Sequence, residues 1–239
     1  MTKVLPTLKP GPRPSNPSAL ELAIHRYEVE CAKFHNKRYA CLPQDSKKAE
    51  AWIDQAIRDW QHLKVMRRQI VGHVTQQQSL AAYRAAAKNK MIEELYVEEH
   101  HPTERLAKHL SAAGEPKPTP EHEAHHIIPG KGRYRQDEIM NVRLNLHAYG
   151  IGINDPLNGA WLTNYKKNKE QNWESPNSPG HREIHRYNYE TWIISRFMLD
   201  TLPEAVFINR LMDVKRRLRT GSHPANIMAK KNTIWSGEA

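Results

Sequence analysis

Apolar positions recur at helical spacing through the first half of the chain. Ser18 and Glu21 form a capping box, after which Leu20, Ile24, Tyr27, Cys31 and Phe34 fall on one helix face. A second helix is expected from about Ser46, with Ala49, Trp52, Ile53, Ala56, Trp60, Leu63 and Ile70 inward, stopping near Gly72. A third opens on the box formed by Thr75 and Gln78 and carries Leu80, Tyr83, Ala87, Met91 and Leu95 until Pro102. A fourth, short one covers residues 103–113 and closes at Gly114. Stripes of this kind make the core of a helical bundle, and nothing in them has the pattern of catalytic chemistry.

Pro116, Pro118 and Pro120 then prevent any helix from continuing, so residues 115–120 read as a linker. From 121 to 180 the chain is rich in Gly, Asn, Pro and His, with short extended runs and no sustained helical period, a loop and hairpin composition. Asn158-Gly159 reads as a turn feeding a strand at 160–162. Helix resumes over 179–199. Another follows from Thr201, Pro203 and Glu204, with Val206, Leu211, Val214 and Leu218 apolar, ending near Gly221. Residues 210–231 hold seven Lys or Arg and one Asp, so this last helix is basic. The expected organisation is a Pro-rich, disordered segment at 1–17, a helical region at 18–114, the linker at 115–120 and a second domain at 121–239, without internal repeats.

Composition narrows the function classes. No run of 18 apolar residues occurs, 38% of positions are hydrophobic and the mean hydropathy is -0.79, which argues against a membrane span. The prolines at 6, 10, 12, 14 and 17 interrupt any cleaved secretory signal, so synthesis in the cytoplasm without such a signal is expected. Cys31 and Cys41 can build neither a disulfide framework nor a cysteine zinc site, consistent with a reducing compartment. A net charge of +10 and a pI near 9.6 favour a polyanionic partner, nucleic acid first and a membrane surface second.

Histidine is the other excess. Of 14, six lie between 122 and 185: His122, His125, His126, His147, His181 and His185. His125-His126 runs into apolar Ile127-Ile128 and a Pro129-Gly130 turn. His181 and His185 stand one turn apart on the expected helix, a spacing that can hold one cation. Either pair alone reads as solvated surface histidines; a strand-borne pair upstream of a helix-borne pair reads as a site. One difficulty follows from strand geometry. Adjacent residues on a regular strand point to opposite faces, so His125 and His126 share a site only if the strand bends, and their roles are exchangeable on sequence grounds.

Ala124-His125-His126, the run Gly150-Ile151-Gly152-Ile153-Asn154 continuing to Asn158-Gly159 and Leu162, and His181-x-x-x-His185-x-x-x-Tyr189 together resemble the AHH family of the HNH/endonuclease VII superfamily, the ββα-metal nucleases. The resemblance covers about residues 121–197 and does not extend to the helical region. It implies an α+β protein: a helical N-terminal region, then a ββα-metal, HNH-like core with additional C-terminal helices. It implies a metal-dependent endonuclease in which His126 is the general base, His125, His181 and His185 hold one divalent ion, as in colicin DNases, and Asn158 holds the hairpin and orients the base. With imidazole donors the ion is Zn²⁺ or Ni²⁺ by donor preference, or Mg²⁺.

Family members are commonly bacterial toxin domains. The expectation is therefore a DNase effector, neutralised by a cognate, acidic immunity protein, reaching the cytoplasm of a target cell without a cleaved signal peptide. In the absence of a repeat-array delivery module, the N-terminal helices would engage a secretion machinery. Ribonuclease activity, a phage or housekeeping nuclease, and a non-catalytic nucleic-acid-binding protein with a structural metal are the alternatives. Arg133 and Arg135 beyond the Pro-Gly turn, and Lys166, Lys167 and Lys169, are candidate phosphate contacts. Tyr189 is expected to pack, Asn154 to cap a turn, and His122 and His147 to lie on the surface.

Overall fold

The computed structural model describes residues 7–38, 45–172 and 174–238. They fall into two compact units, Met1–Thr75 and Gln76–Ala239, with the boundary inside one helix. The division of packing thus lies well before the proline-rich linker.

In the first unit, α1 (Ala19–Arg38) begins where the capping box places it. Ser18 N and Oγ both donate to Glu21 Oε2 at 2.8 Å, and Glu21 N donates to Ser18 Oγ. It packs on the start of α2 (Ser46–Asn89) through Phe34 stacked on Trp60 at 5.8 Å and the Lys37–Asp59 ion pair at 3.0 Å. Ile53 and Trp60, expected inward, are 48% and 49% exposed, because two helices cover only a narrow stripe of each other. Residues 7–17 form no helix or strand, though Leu8 N and O bond the Asn36 side chain. Cys31 is a free thiol; Cys41 and the first six residues lie outside the described residues.

The expected break between the second and third helices is absent, and α2 runs 44 residues through Gly72. A mid-helix glycine costs only about 1 kcal/mol. Thr75 does not cap: its hydroxyl donates back to Val71 O at 2.9 Å, the mid-helix arrangement of threonine. After α2, Glu94 accepts from Met91 N at 2.9 Å and starts a short α3 (Ile92–Tyr96), and α4 (Glu104–Ala112) matches its expected span.

The second unit is organised on an antiparallel hairpin, β1 (His122–His126) with β2 (Gly159–Thr163), paired His126↔Gly159 through His122↔Thr163. Alternation gives it two faces. Ala124 and Trp161 meet Leu106 and Leu110 of α4. Ala160 and Leu162 join the main core with Ile127, Ile128, Tyr189, Trp192, Phe197, Phe207 and Leu211. Gly159 is glycine because a Cβ there would stand 2.7 Å from Leu106 Cδ1.

Residues 121–180, read from sequence as loop and hairpin, contain a 13-residue helix, α5 (Gln136–Ala148). Its core stripe of Ile139, Val142 and Leu146 is interleaved with Arg143 and His147, which are also buried, so the apolar period is masked. Arg143 donates to the carbonyls of Gly130, Leu95 and Glu98 and to His147 Nε2. The helix expected over 179–199 is split into a single turn, α6 (His181–Ile184), and α7 (Tyr187–Phe197). The C-terminal helix α8 (Glu204–Thr220) ends on Gly221 in the left-handed conformation, as its sequence requires. A helical N-terminal region plus a two-stranded antiparallel sheet with flanking helices is the α+β class. No helix among the described residues is long and apolar enough to cross a membrane.

Candidate active site

His125 and His126 close β1, and the strand does not bend to bring them together: they leave it on opposite faces. On the α6–α7 face, His125 meets His181 and His185. The three rings lie 5.0 to 5.5 Å apart, and one ring nitrogen from each falls within 4.8 Å of the others. His181 and His185 do not share a helix, since His185 follows the single turn of α6 with φ −69 and ψ 71; the break still leaves both rings toward His125.

Hydrogen bonding sets which nitrogen of His125 and of His181 is free. The single Tyr189 hydroxyl proton goes to Ile127 O at 2.7 Å, so the hydroxyl accepts from His125 Nε2–H at 3.0 Å. That fixes His125 as the Nε2–H tautomer and leaves its Nδ1 lone pair, buried and without a hydrogen-bond partner among the described residues, on the remaining side of the ring. Likewise His181 Nδ1–H donates to the Glu123 carboxylate at 2.8 Å, freeing Nε2. An orphaned buried nitrogen amid neutral imidazoles, two of them with the far nitrogen anchored, is the donor set that a divalent ion requires. Burial is the main cause that pushes His125 well below its ordinary pKa, lowers His181 against the pull of Glu123, and brings His185 to about 4, so all three are unprotonated at neutral pH.

On the other face, His126 Nε2–H donates to Asn154 Oδ1 at 3.1 Å, leaving Nδ1 as the basic nitrogen. Burial drives its pKa down to about 3, opposed by that hydrogen bond. The Asn154 amide cannot flip, because its Nδ2 donates to Glu98 Oε1 at 2.9 Å and Glu99 O at 3.0 Å. Glu98 in turn accepts from Tyr83 Oη and Arg105. His125 and His126 are consecutive residues at the end of β1, so the two systems lie at one end of the hairpin.

Asn158 is 0% exposed and staples the loop rather than the His126 ring. Its Oδ1 accepts from Ile128 N at 2.8 Å and its Nδ2 donates to the carbonyls of Ile128 and Ile153. Holding the His126 ring falls to Asn154 instead. His122 bonds Thr119 at the far end of β1, and His147 is buried between Arg143 and the Ile151 carbonyl; neither joins the cluster or the surface. Arg133 is exposed, with its guanidinium 5.5 Å from the Tyr134 ring centre. Arg135 is engaged by Glu138 at 2.8 Å and Thr191 at 3.2 Å. Lys166 and Lys167 are exposed, Lys167 over the Tyr165 ring, and Lys169 pairs with Glu183.

Sequence reasoning missed the contribution of residues 83–101. Glu98 anchors Asn154. His100 lies tilted against His101 at 4.4 Å and stands edge-on 6.2 Å from His126. Gly130 admits the His100 ring, which a Cβ there would meet at 2.1 Å. The adjacent His100-His101 pair just before Pro102 was the available signal.

Residues 106–220 match the AHH family, described as a nuclease family of the HNH/ENDO VII superfamily with conserved AHH. No curated protein and no solved structure matches the chain. The matched region contains Ala124-His125-His126, whose two imidazoles head the two hydrogen-bonded systems of this hairpin, and residues 106–220 are thereby a nuclease domain of the HNH/ENDO VII superfamily, which implies a nucleic-acid substrate.

Proposed function

We propose that the protein is a metal-dependent endonuclease that hydrolyses DNA, with His126 as the general base. His125, His181 and His185 would hold one divalent ion, which supplies charge neutralisation at the scissile phosphate. The observation that carries this reading is the fixed tautomer pattern: Nε2–H of His125 and Nδ1–H of His181 are both committed to anchors, and Nε2–H of His126 is committed to Asn154. Each ring thereby presents a lone pair, two for coordination and one for taking a proton from water. An all-imidazole set favours Zn²⁺ or Ni²⁺ over Mg²⁺. Asn158 serves by holding the Ile127–Ile128 backbone at the strand end, and Arg133, Lys166 and Lys167 contact the phosphate backbone, with Arg135 behind them.

In this reading the nuclease is an antibacterial effector. It is made in the cytoplasm, loaded onto a secretion machinery through the N-terminal helices, and acts in the target-cell cytoplasm. The producing cell is protected by a cognate immunity protein whose acidic surface covers the basic cleft.

The test is incubation of the purified chain with plasmid DNA and with RNA, in EDTA and with Mg²⁺, Mn²⁺, Zn²⁺ or Ni²⁺ restored, beside His126→Ala. DNA cleavage that needs metal and is lost in His126→Ala with metal content intact supports the assignment. Joint loss of metal and fold in that variant means that the metal is structural, and cutting of RNA alone removes the DNase assignment. Normal viability of a susceptible bacterium expressing the wild-type chain refutes the effector role.

A further inference from the structure

Beside the histidine cluster, the loop at residues 130–135 presents side chains that hydrolysis itself does not use. Tyr134 is 47% exposed and stands edge-on to Tyr187, the first residue of α7, at 6.4 Å. The Arg133 guanidinium lies 5.5 Å from the Tyr134 ring centre. The Arg135 guanidinium and Lys231 Nζ lie 5.8 and 4.7 Å from that of Tyr187. Two rings and three cations thus come together from the loop, α7 and the C-terminal segment.

The loop is held in place from below. The buried Glu190 carboxylate accepts the backbone N–H groups of Arg133, Tyr134 and Arg135 at 2.5, 2.9 and 2.7 Å, and Arg143 Nη1 holds Gly130 O at 2.8 Å. Tyr134 is therefore an exposed aromatic ring on a fixed backbone. Tyr187, against which it stands, follows His185 by two residues, which brings the platform beside the cluster.

An exposed ring flanked by cations has the chemistry of a base-stacking site. The ring offers its face to the π-face of any base, the cations neutralise the adjoining phosphates, and a fixed backbone reduces the ordering cost of binding. In a duplex both faces of each interior base are already stacked, so only an unpaired base can use such a ring. We propose that Tyr134, supported by Tyr187 and flanked by Arg133 and Lys231, stacks an unpaired base of the strand entering beside His185, making single-stranded DNA the preferred substrate. This rests on the reading of the chain as a DNA nuclease.

The test is fluorescence anisotropy of a short labelled DNA oligonucleotide, single-stranded or annealed to its complement, titrated with the full chain in EDTA so that binding is read without cleavage. Tyr134→Ala is expected to weaken single-strand binding about 5- to 100-fold, while Tyr134→Phe and duplex binding each stay within about twofold. Circular dichroism confirms that both variants fold. The stacking site is overturned if Tyr134→Ala binds the single strand like wild type, if single-strand and duplex affinity fall alike, if Tyr134→Phe falls as far as Tyr134→Ala, or if the wild-type chain binds no oligonucleotide. Tyr134-dependent binding without cleavage on restoring metal upholds the site and removes the nuclease assignment of this chain. Cleavage with Tyr134-independent binding does the reverse.

Discussion

Replacing Asn154 with alanine removes the acceptor of His126 Nε2–H and the donor to Glu98 and Glu99, without touching His125, His181 or His185. His126 is 6% exposed, so its N–H is left in a place that water does not readily reach; Glu98 keeps Tyr83 and Arg105. Orphaning one buried donor and one carbonyl at about 1–3 kcal/mol apiece, the carbonyl at the lower end, gives a loss of about 2–4 kcal/mol. In a chain of this size that is a drop in melting temperature of about 4–16 °C. The larger effect falls on the reaction. A general base contributes about 10²- to 10⁴-fold, and with His126 in that proposed role Asn154→Ala leaves it present but free to rotate and to exchange tautomers, so kcat should fall about 10- to 100-fold with KM unchanged. Calorimetric titration with Zn²⁺ should show wild-type affinity, and plasmid cleavage well below the melting point gives the rate. Wild-type kcat in Asn154→Ala, or loss of metal binding along with activity, refutes the division of labour between the two faces of the hairpin.

Tyr189→Phe leaves the buried His125 Nε2–H and Ile127 carbonyl without the hydroxyl that joins them, and metal affinity by calorimetry should weaken about 10- to 100-fold; unchanged affinity would mean that the hydroxyl does not fix the tautomer. Gly72→Ala meets nothing within 4 Å and should raise stability against urea by about 0.5–1 kcal/mol, whereas destabilisation would show that the helix breaks there. Asp213 pairs with Arg196, Arg216 and Arg217; burial, the largest single influence, raises its pKa, but the three guanidiniums together carry it below the ordinary carboxylate value. Its stabilisation is therefore complete above the unfolded-state pKa near 4 and is lost as pH falls through the lower folded value, so Asp213→Asn should flatten the acid limb of a stability-versus-pH curve, and an unaltered limb would contradict this assignment.

Much of the architecture was legible because its signals are local. The Ser18–Glu21 box, the glycine after α8 and the Asn158-Gly159 turn each act over a few residues. What misled were residues whose local character opposes their tertiary role. Gly72 and Thr75 look like a helix end yet sit mid-helix, and Arg143 and His147 look solvated yet lie in the core of α5. Glu98 gave no hint, and the His100-His101 pair signalled only that imidazoles were present, since nothing near them in sequence shows that residues 95–101 run past the end of the hairpin.

For the site, the sequence by itself supplied the candidate donors: two adjacent imidazoles at the end of a strand and two more four residues apart, whose ligand chemistry is neutral nitrogen. Which of them act together, and through which atom, was decided by tertiary structure. The partners that assign each proton are Tyr189 for His125, Glu123 for His181 and Asn154 for His126, separated by 64, 58 and 28 residues. An imidazole has no intrinsic commitment to one nitrogen. The proton settles opposite whichever acceptor the fold supplies, and that acceptor is a property of the chain path rather than of the motif.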